Sequence, residues 1–249
     1  MPESRAPRKT VESAGSSTAA HAANGQVRRI LYVEANEDGT VGGSHQALFE
    51  LVVNLDRSRF APIVLFYQDN VFAARLRDRG IEVCLYDAVR AQERRIRQTR
   101  SRLRRLPEYA YTILRRLRFL RQYGIDLIHI NNSPRIGDDD WLPAARLLGI
   151  ACVASVRGDA SGPVGGWVRR KLFLGFDHYL PVSQYIASSM SRVGVPSERM
   201  DLVYDGVDLT SLRRRVQRSR DDVRRELSVP ADGLLALMVG NIRHWKGQH

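Results

Sequence analysis

Cysteine is scarce in these 249 residues, and its scarcity makes the first exclusion. Cys84 and Cys152 lie far apart, each within an apolar run, so neither a disulfide framework nor a zinc ribbon is suggested; both read as buried structural thiols. No apolar stretch approaches the ~20 residues of a membrane span, and the N-terminus has no contiguous apolar core of the kind a signal peptide needs. A cytoplasmic location is the resulting expectation, and it removes any meaning from the glycosylation-type triplet Asn131-Asn-Ser133. Acidic residues are in deficit, 27 against 39 basic, for a net charge of +12, which favours polyanionic partners such as phosphates or acidic membranes. No Gly-x-Gly-x-x-Gly is present, so a nicotinamide-type dinucleotide site is not supported, and no internal repeat is visible.

What is there is a packed α/β chain. Hydrophobic residues make up 43% of it, enough for a globular core. Residues 1–27 have the mixed Ala, Ser, Gly and Pro composition of a disordered tail. Short β-branched and aromatic runs then alternate with helical periodicity: strands at 29–34, 61–67, 81–86, 126–130, 150–156, 178–182 and 200–204, and helices after 43, over 72–79, over 140–148, after 167 and after Ser183. This alternation predicts a doubly wound, mostly parallel sheet covered on both faces, spanning about 28–210. Residues 211–233 read as a charged connection with a capping signature at Ser219. Residues 234–249 read as the first strand and turn of a second domain, of which about sixteen residues are present.

Candidate ligand groups gather where strands end, because in open parallel sheets ligands bind beyond the carboxyl ends. Gly42 and Gly43 sit between the first strand and the first helix, where backbone amides and the helix dipole meet an anion at close range. His45 lies on the same loop and His129 near a strand end. Arg157 and Asp159 follow another strand; the arginine is suited to a phosphate or carboxylate, or to its neighbour Asp159. Asp205 and Gly206 form a later turn and join the substrate-binding set. Asp138-Asp-Asp140 reads as decoration of a helix N-terminus rather than a cation site, so no metal is assigned.

One insertion interrupts the alternation. The run 90–122, from Arg90 to Gln122, holds twelve arginines against Glu93 and Glu108, a local charge of +10. Pro107 separates two helices, the second carrying Tyr109, Ile113, Leu114, Leu117 and Leu120 on one face and arginine on the other. Three readings stay open: a solvated surface, an interfacial helix drawn to anionic lipid, and a nucleic-acid patch. The second is favoured, and the absence of aromatics interleaved with the arginines argues against nucleic acid.

Three stretches taken together, Tyr179-Leu-Pro-Val-Ser-Gln-Tyr-Ile-Ala187 with Gly194-Val-Pro196, Val203-Tyr-Asp-Gly-Val-Asp208, and Val239-Gly-Asn-Ile-Arg-His-Trp-Lys-Gly247, resemble family-4 retaining glycosyltransferases of the GT-B fold. The resemblance implies two Rossmann-like domains facing each other across a cleft. The N-terminal one, of which this chain is the example, holds mainly the acceptor, and the second, here truncated, holds the nucleotide sugar. It places Gly42 and Gly43 in the family's first loop, and gives Lys246 and Gly247 the contact to the donor diphosphate. Charge growing on the leaving diphosphate would be met by that cation and by loop amides, with no metal or other cofactor required. Asn241 stands where the family commonly has arginine, leaving Arg243 as a shifted substitute, and Arg157 stands where a histidine is frequent. No catalytic residue is assigned. The implied activity is sugar transfer with retention to a glycan or lipid-linked acceptor, with residues 1–249 inactive alone and peripheral on the inner membrane face. The alternative is a non-catalytic module that binds a membrane or a partner.

Overall fold

The computed structural model describes residues 26–34, 36, 41–86, 106–132, 141–159, 167–240, 242 and 246–248. The expected tail up to residue 25, the arginines at 90–105, Asp138, Asp139 and Asp140, and Asn241 and Arg243 lie outside them. Six strands run parallel in one sheet: β1 (Arg28–Glu34), β2 (Phe60–Phe66), β3 (Glu82–Leu85), β4 (Leu127–Asn131), β5 (Ala151–Val156) and β6 (His178–Pro181), in the order β3-β2-β1-β4-β5-β6. The order reverses after β1. The helices between the first three strands therefore fall on one face and the later ones on the other, as right-handed crossovers require.

Alternation along each strand divides the core. Leu31 and Val33 of β1 join Ile128, Ile130, Ala154 and Val156 on one face. Against them pack α3 (Leu106–Tyr123), α4 (Trp141–Leu148), α5 (Trp167–Phe173) and α6 (Gln184–Arg192). Ile30 and Tyr32 point the other way and join Val64 and Phe66 beneath α1 (Gly43–Val53) and α2 (Val71–Arg77). Trp141 anchors the first face; it is fully buried and its Nε1 donates to the Tyr67 hydroxyl at 2.9 Å. Burying a side chain of that size without losing its N–H bond is a large share of a domain's net stability.

Local chemistry sets the element ends. Asn70 caps α2 by accepting from Phe72 N at 2.9 Å, and Ser183 caps α6 by accepting from Ile186 N at 3.3 Å. Gly149 stops α4 at φ +68, a left-handed turn that lets Ile150 N return to the Ala145 carbonyl at 2.9 Å. Beyond the sheet, α7 (Leu209–Arg215) is capped by Asp208 and α8 (Arg220–Glu226) by Ser219, whose hydroxyl accepts from Asp222 N.

Four expectations are corrected. Residues 200–204 make an isolated bridge, Tyr179 to Met200, with Asp201 N on the Tyr179 carbonyl and Val203 N on the Pro181 carbonyl, but no full strand. β6 offers only four residues to pair with. Residues 234–239 are not a strand: Leu234 and Val239 are exposed, and among the described residues no neighbouring strand receives their backbone. The apolar face of α3 is split. Leu120 is buried and Ile113 and Leu117 pack on the core, but Tyr109 and Leu114 are exposed, while Arg116 lies buried over the Trp141 ring at 5.0 Å. Of the described stripe, Ile113, Leu117 and Leu120 pack on the protein and Tyr109 and Leu114 stay on the surface. Cys152 is buried as expected, but Cys84 is only partly so; burial pushes both thiols up.

Candidate functional site

The C-terminal ends of β1, β4 and β5 are adjacent, and on one face their side chains turn polar. β1 offers Tyr32 then Glu34, β4 His129 then Asn131, and β5 Ser155 followed by Arg157. Register places Tyr32 beside His129 and Glu34 beside Asn131. A strand period of two keeps all six on the side that α1 occupies, while the apolar residues between them fill the opposite core.

Glu34 is fully buried and its carboxylate is shared. Ser44 Oγ donates to Oε1 at 3.2 Å, and Asn131 Nδ2 donates to Oε2 at 2.5 Å and to the Ser44 carbonyl at 3.1 Å. Desolvation by burial pushes its pKa up to about 7, against the lowering pull of those hydrogen bonds, of one from the Asn36 backbone amide and of the Arg157 charge. Asn131 Oδ1 accepts from Arg157 Nε at 3.4 Å, and Arg157 Nη1 pairs with Asp205 Oδ2 at 2.5 Å. One connected set of bonds thus runs from the first turn of α1 through β1 and β4 to the residue after β5 and on to the 203–208 segment.

The expected residues fall into three groups. Gly42 and Gly43 start α1 above this network. Gly42 has φ −156, an extended conformation open to any residue, and a Cβ at Gly43 would meet nothing within 4 Å. The backbone angle does not demand glycine at position 42, and no steric contact demands it at position 43. Arg157, Asp205, Gly206 and His129 come together around a cavity of about 560 Å³, with Tyr32, Ser155 and Leu180 in its walls and residues 203–208 along its edge. Arg157 pairs with Asp205 rather than with Asp159, whose carboxylate accepts from the Tyr185 hydroxyl at 3.2 Å.

The two histidines are held differently from the expectation. His45 is not on an open loop: it is buried in the first turn of α1, stacked on Phe66 with centroids 5.7 Å apart. Its apolar company reflects its place on the sheet-facing side of the helix. His129 is buried mid-strand, bonded through Nε2 to Ser155 Oγ at 2.8 Å, and desolvation with the nearby Arg157 charge pushes it down to about 4. It is a neutral imidazole at the cavity wall.

The third group is at the end of the chain. Lys246 and Gly247 are exposed, next to Gln248, whose Nε2 donates to the Gly240 carbonyl at 3.3 Å. Nothing described joins them to the sheet edge.

Glu34, Ser44 and Asn131 were not singled out from the sequence. The available signal was an acid closing an otherwise apolar buried strand, with Asn131 and Ser155 at alternate positions of its neighbours. Asn131 is fully buried, which also excludes it as a glycan acceptor.

Comparison with known proteins bears on this arrangement. A family model described as Glycosyltransferase Family 4 matches residues 41–211. No curated protein sequence matches. Among solved structures, the chain is similar to Alr3699/HepE from Anabaena, solved in complex with UDP and glucose, at 18% identity and a TM-score of 0.55, covering 81% of this chain and 50% of that one. It is also similar to a glycosyltransferase from Rickettsia africae ESF-5 at 12% identity and a TM-score of 0.56, covering 83% and 51%. At such identities the likeness is one of fold. The chain spans about half the length of these structures.

Proposed function

The chain belongs to glycosyltransferase family 4, and from that premise we propose that residues 28–210 are the acceptor-holding half of an enzyme that moves a sugar from a nucleotide donor, with retention, to a glycan or lipid-linked acceptor. The observation that carries this reading is the pair Gly42 and Gly43 at a polar strand edge. The backbone of Gly42 is extended and open to any residue, and no steric contact requires a glycine at Gly43, so in this reading the missing side chains serve close approach by a ligand. Arg157, linked to the Ser44 carbonyl through Asn131, supplies a fixed cation at the same strand edge, with only 15% of its side chain exposed.

The donor in this reading is a nucleoside diphosphate sugar, in keeping with the UDP held by the Anabaena relative. Lys246, with Arg243 and the Gly247 turn, would meet its diphosphate from the facing domain. Fixed positive charge there stabilises the leaving group most when its charge is greatest, at the transition state, and needs no metal to do so. Transfer by residues 1–249 alone is not expected, because Lys246 stands free of any described wall. The test is sugar transfer from labelled UDP-hexoses by the whole protein, with the product anomer read by NMR. Inversion, or robust turnover by residues 1–249, contradicts the reading.

A membrane is the second proposed partner, in place of nucleic acid. It is favoured by the outer surface of α3, where exposed Tyr111 and Leu114 stand beside exposed Arg118 and Arg121. Each basic residue near an anionic bilayer contributes about 1 kcal/mol. No described helix is long and apolar enough to cross a membrane. Flotation with vesicles that does not depend on anionic lipid would contradict this partner.

A further inference from the structure

The polar network at the strand edge contains one group whose protonation changes who donates to whom. As a carboxylate, Glu34 is a pure acceptor: Ser44 Oγ–H gives to Oε1 and the Asn131 amide gives to Oε2. Ser44 Oγ meanwhile accepts from Asn36 Nδ2 at 3.2 Å and lies 3.4 Å from His45 Nδ1. The amide hydrogens of Asn131 are divided between Glu34 Oε2 and the Ser44 carbonyl, so its oxygen faces Arg157. The carboxylate thereby fixes which way the asparagine amide is turned.

A proton added at Oε1 puts two hydrogens into the 3.2 Å contact with Ser44. The hydroxyl must then rotate, accept from Glu34, and give its own hydrogen elsewhere; His45 Nδ1 is the described acceptor position beside it. We propose that Glu34 is a proton-operated positioning residue: as a carboxylate it holds Ser44, Asn131 and, through Asn131, the Arg157 guanidinium in place, and on protonation it releases the Ser44 hydroxyl towards His45.

The charged and titratable groups facing it are few. Arg157 approaches from the end of β5 and itself holds Asp205. His45 approaches from α1 through Ser44. β4 presents neutral Asn131, with His129 two residues before it. The burial that raises the Glu34 pKa brings its titration near neutrality, where the device would operate. Neither Ser44 nor Asn131 is replaceable in this scheme, since one supplies the rotating hydroxyl and the other ties the carboxylate to the cation. The functional consequence rests on the reading that the acceptor is held at this edge; the bond switch itself does not.

The test is an NMR titration of labelled residues 1–249 from pH 5 to 8.5, following the Asn131 side-chain amide, the Ser44 amide and the His45 ring nitrogens. In the wild type all three are expected to move with one shared midpoint near the value of about 7 for Glu34. Glu34→Gln, whose amide donates where the protonated acid would, is expected to freeze Ser44 and Asn131 at their low-pH positions. Ser44→Ala keeps the Asn131 response and removes from the His45 ring signals the component that follows the Glu34 midpoint. Responses that persist in Glu34→Gln, or no shared midpoint in the wild type, overturn the proposal. Because the titration uses no substrate, its failure and a failure to detect sugar transfer are separate results.

Discussion

The two faces of the sheet divide the molecule's labour. On the face covered by α3 to α6, the strands offer Leu31, Val33, Ile128, Ile130, Ala154 and Val156, with Trp141 filling the space above. On the other, the same strands offer Tyr32, Glu34, His129, Asn131, Ser155 and Arg157 within a few residues of their ends. Burial on the first face is apolar and stabilising. On the second it encloses ionisable groups at a cost recovered only in part by hydrogen bonds. One β-strand serves both purposes because neighbouring residues face opposite ways.

The largest expected effect falls on the apolar face. Trp141→Ala removes a fully buried ring together with the bond its Nε1 gives to the Tyr67 hydroxyl, for a loss of about 3–5 kcal/mol in urea unfolding. Loss of less than about 1 kcal/mol would mean that this face is not the stability core.

The polar face is expected to act through pH. Glu34 has its pKa raised from 4.5 to about 7, so its contribution is fully present below 4.5 and is lost as pH rises through about 7. His129 is lowered from 6.5 to about 4, so its contribution is fully present above 6.5 and is lost as pH falls through about 4. Each shift corresponds to about 3 kcal/mol, and the two slopes have opposite sign between pH 4.5 and 6.5. Wild-type stability is expected to be nearly flat there. Glu34→Gln should expose a rise with pH, and His129→Gln a fall, both read from urea unfolding at a series of pH values; parallel curves for all three proteins would refute the offset.

Smaller effects mark the surface. Arg118→Gln with Arg121→Gln is expected to weaken binding to anionic vesicles by about 1 kcal/mol per residue while leaving unfolding unchanged; full retention in flotation would remove α3 from any membrane contact. Gly43→Ala is the smallest in stability: the added methyl meets no neighbour within 4 Å, and a glycine replaced without strain gains about 0.4–1 kcal/mol. It should nevertheless impair sugar transfer by the whole protein. Normal transfer by that variant would mean that the loop glycine serves no close approach.

How much of this could be read in the sequence follows the same division. The apolar runs at 29–34, 126–130 and 150–156 announced buried parallel strands, because a strand covered on both faces needs near-continuous hydrophobic residues. Arg157, Asp205 and Gly42 were legible as strand-end residues and a glycine turn. Glu34 was not: the run 29–34 includes it as the last strand residue, but a single acid there carries no sign of a partner, and only strand pairing shows that Asn131 receives it. The misreading at 234–239 has a plain cause: hydrophobic pattern gives a segment the propensity to be a strand, but a strand also needs a neighbour with free backbone groups, whereas 200–204 finds β6 and pairs with it only through one bridge. His45 was misplaced because its position relative to the helix start decides whether it faces water or Phe66.

The most direct measurement compares wild type and Arg157→Ala in sugar transfer by the whole protein, alongside urea unfolding of both. A charge-assisted hydrogen bond to substrate is worth about 1.5–3 kcal/mol, so kcat/KM should fall roughly 10- to 100-fold, while the unfolding curves differ by about 1–3 kcal/mol for the donor lost to buried Asn131, with the variant still folded under assay conditions. Unchanged kcat/KM, or a loss of transfer that merely follows a loss of folded protein, would contradict the placing of the acceptor at this edge of the sheet.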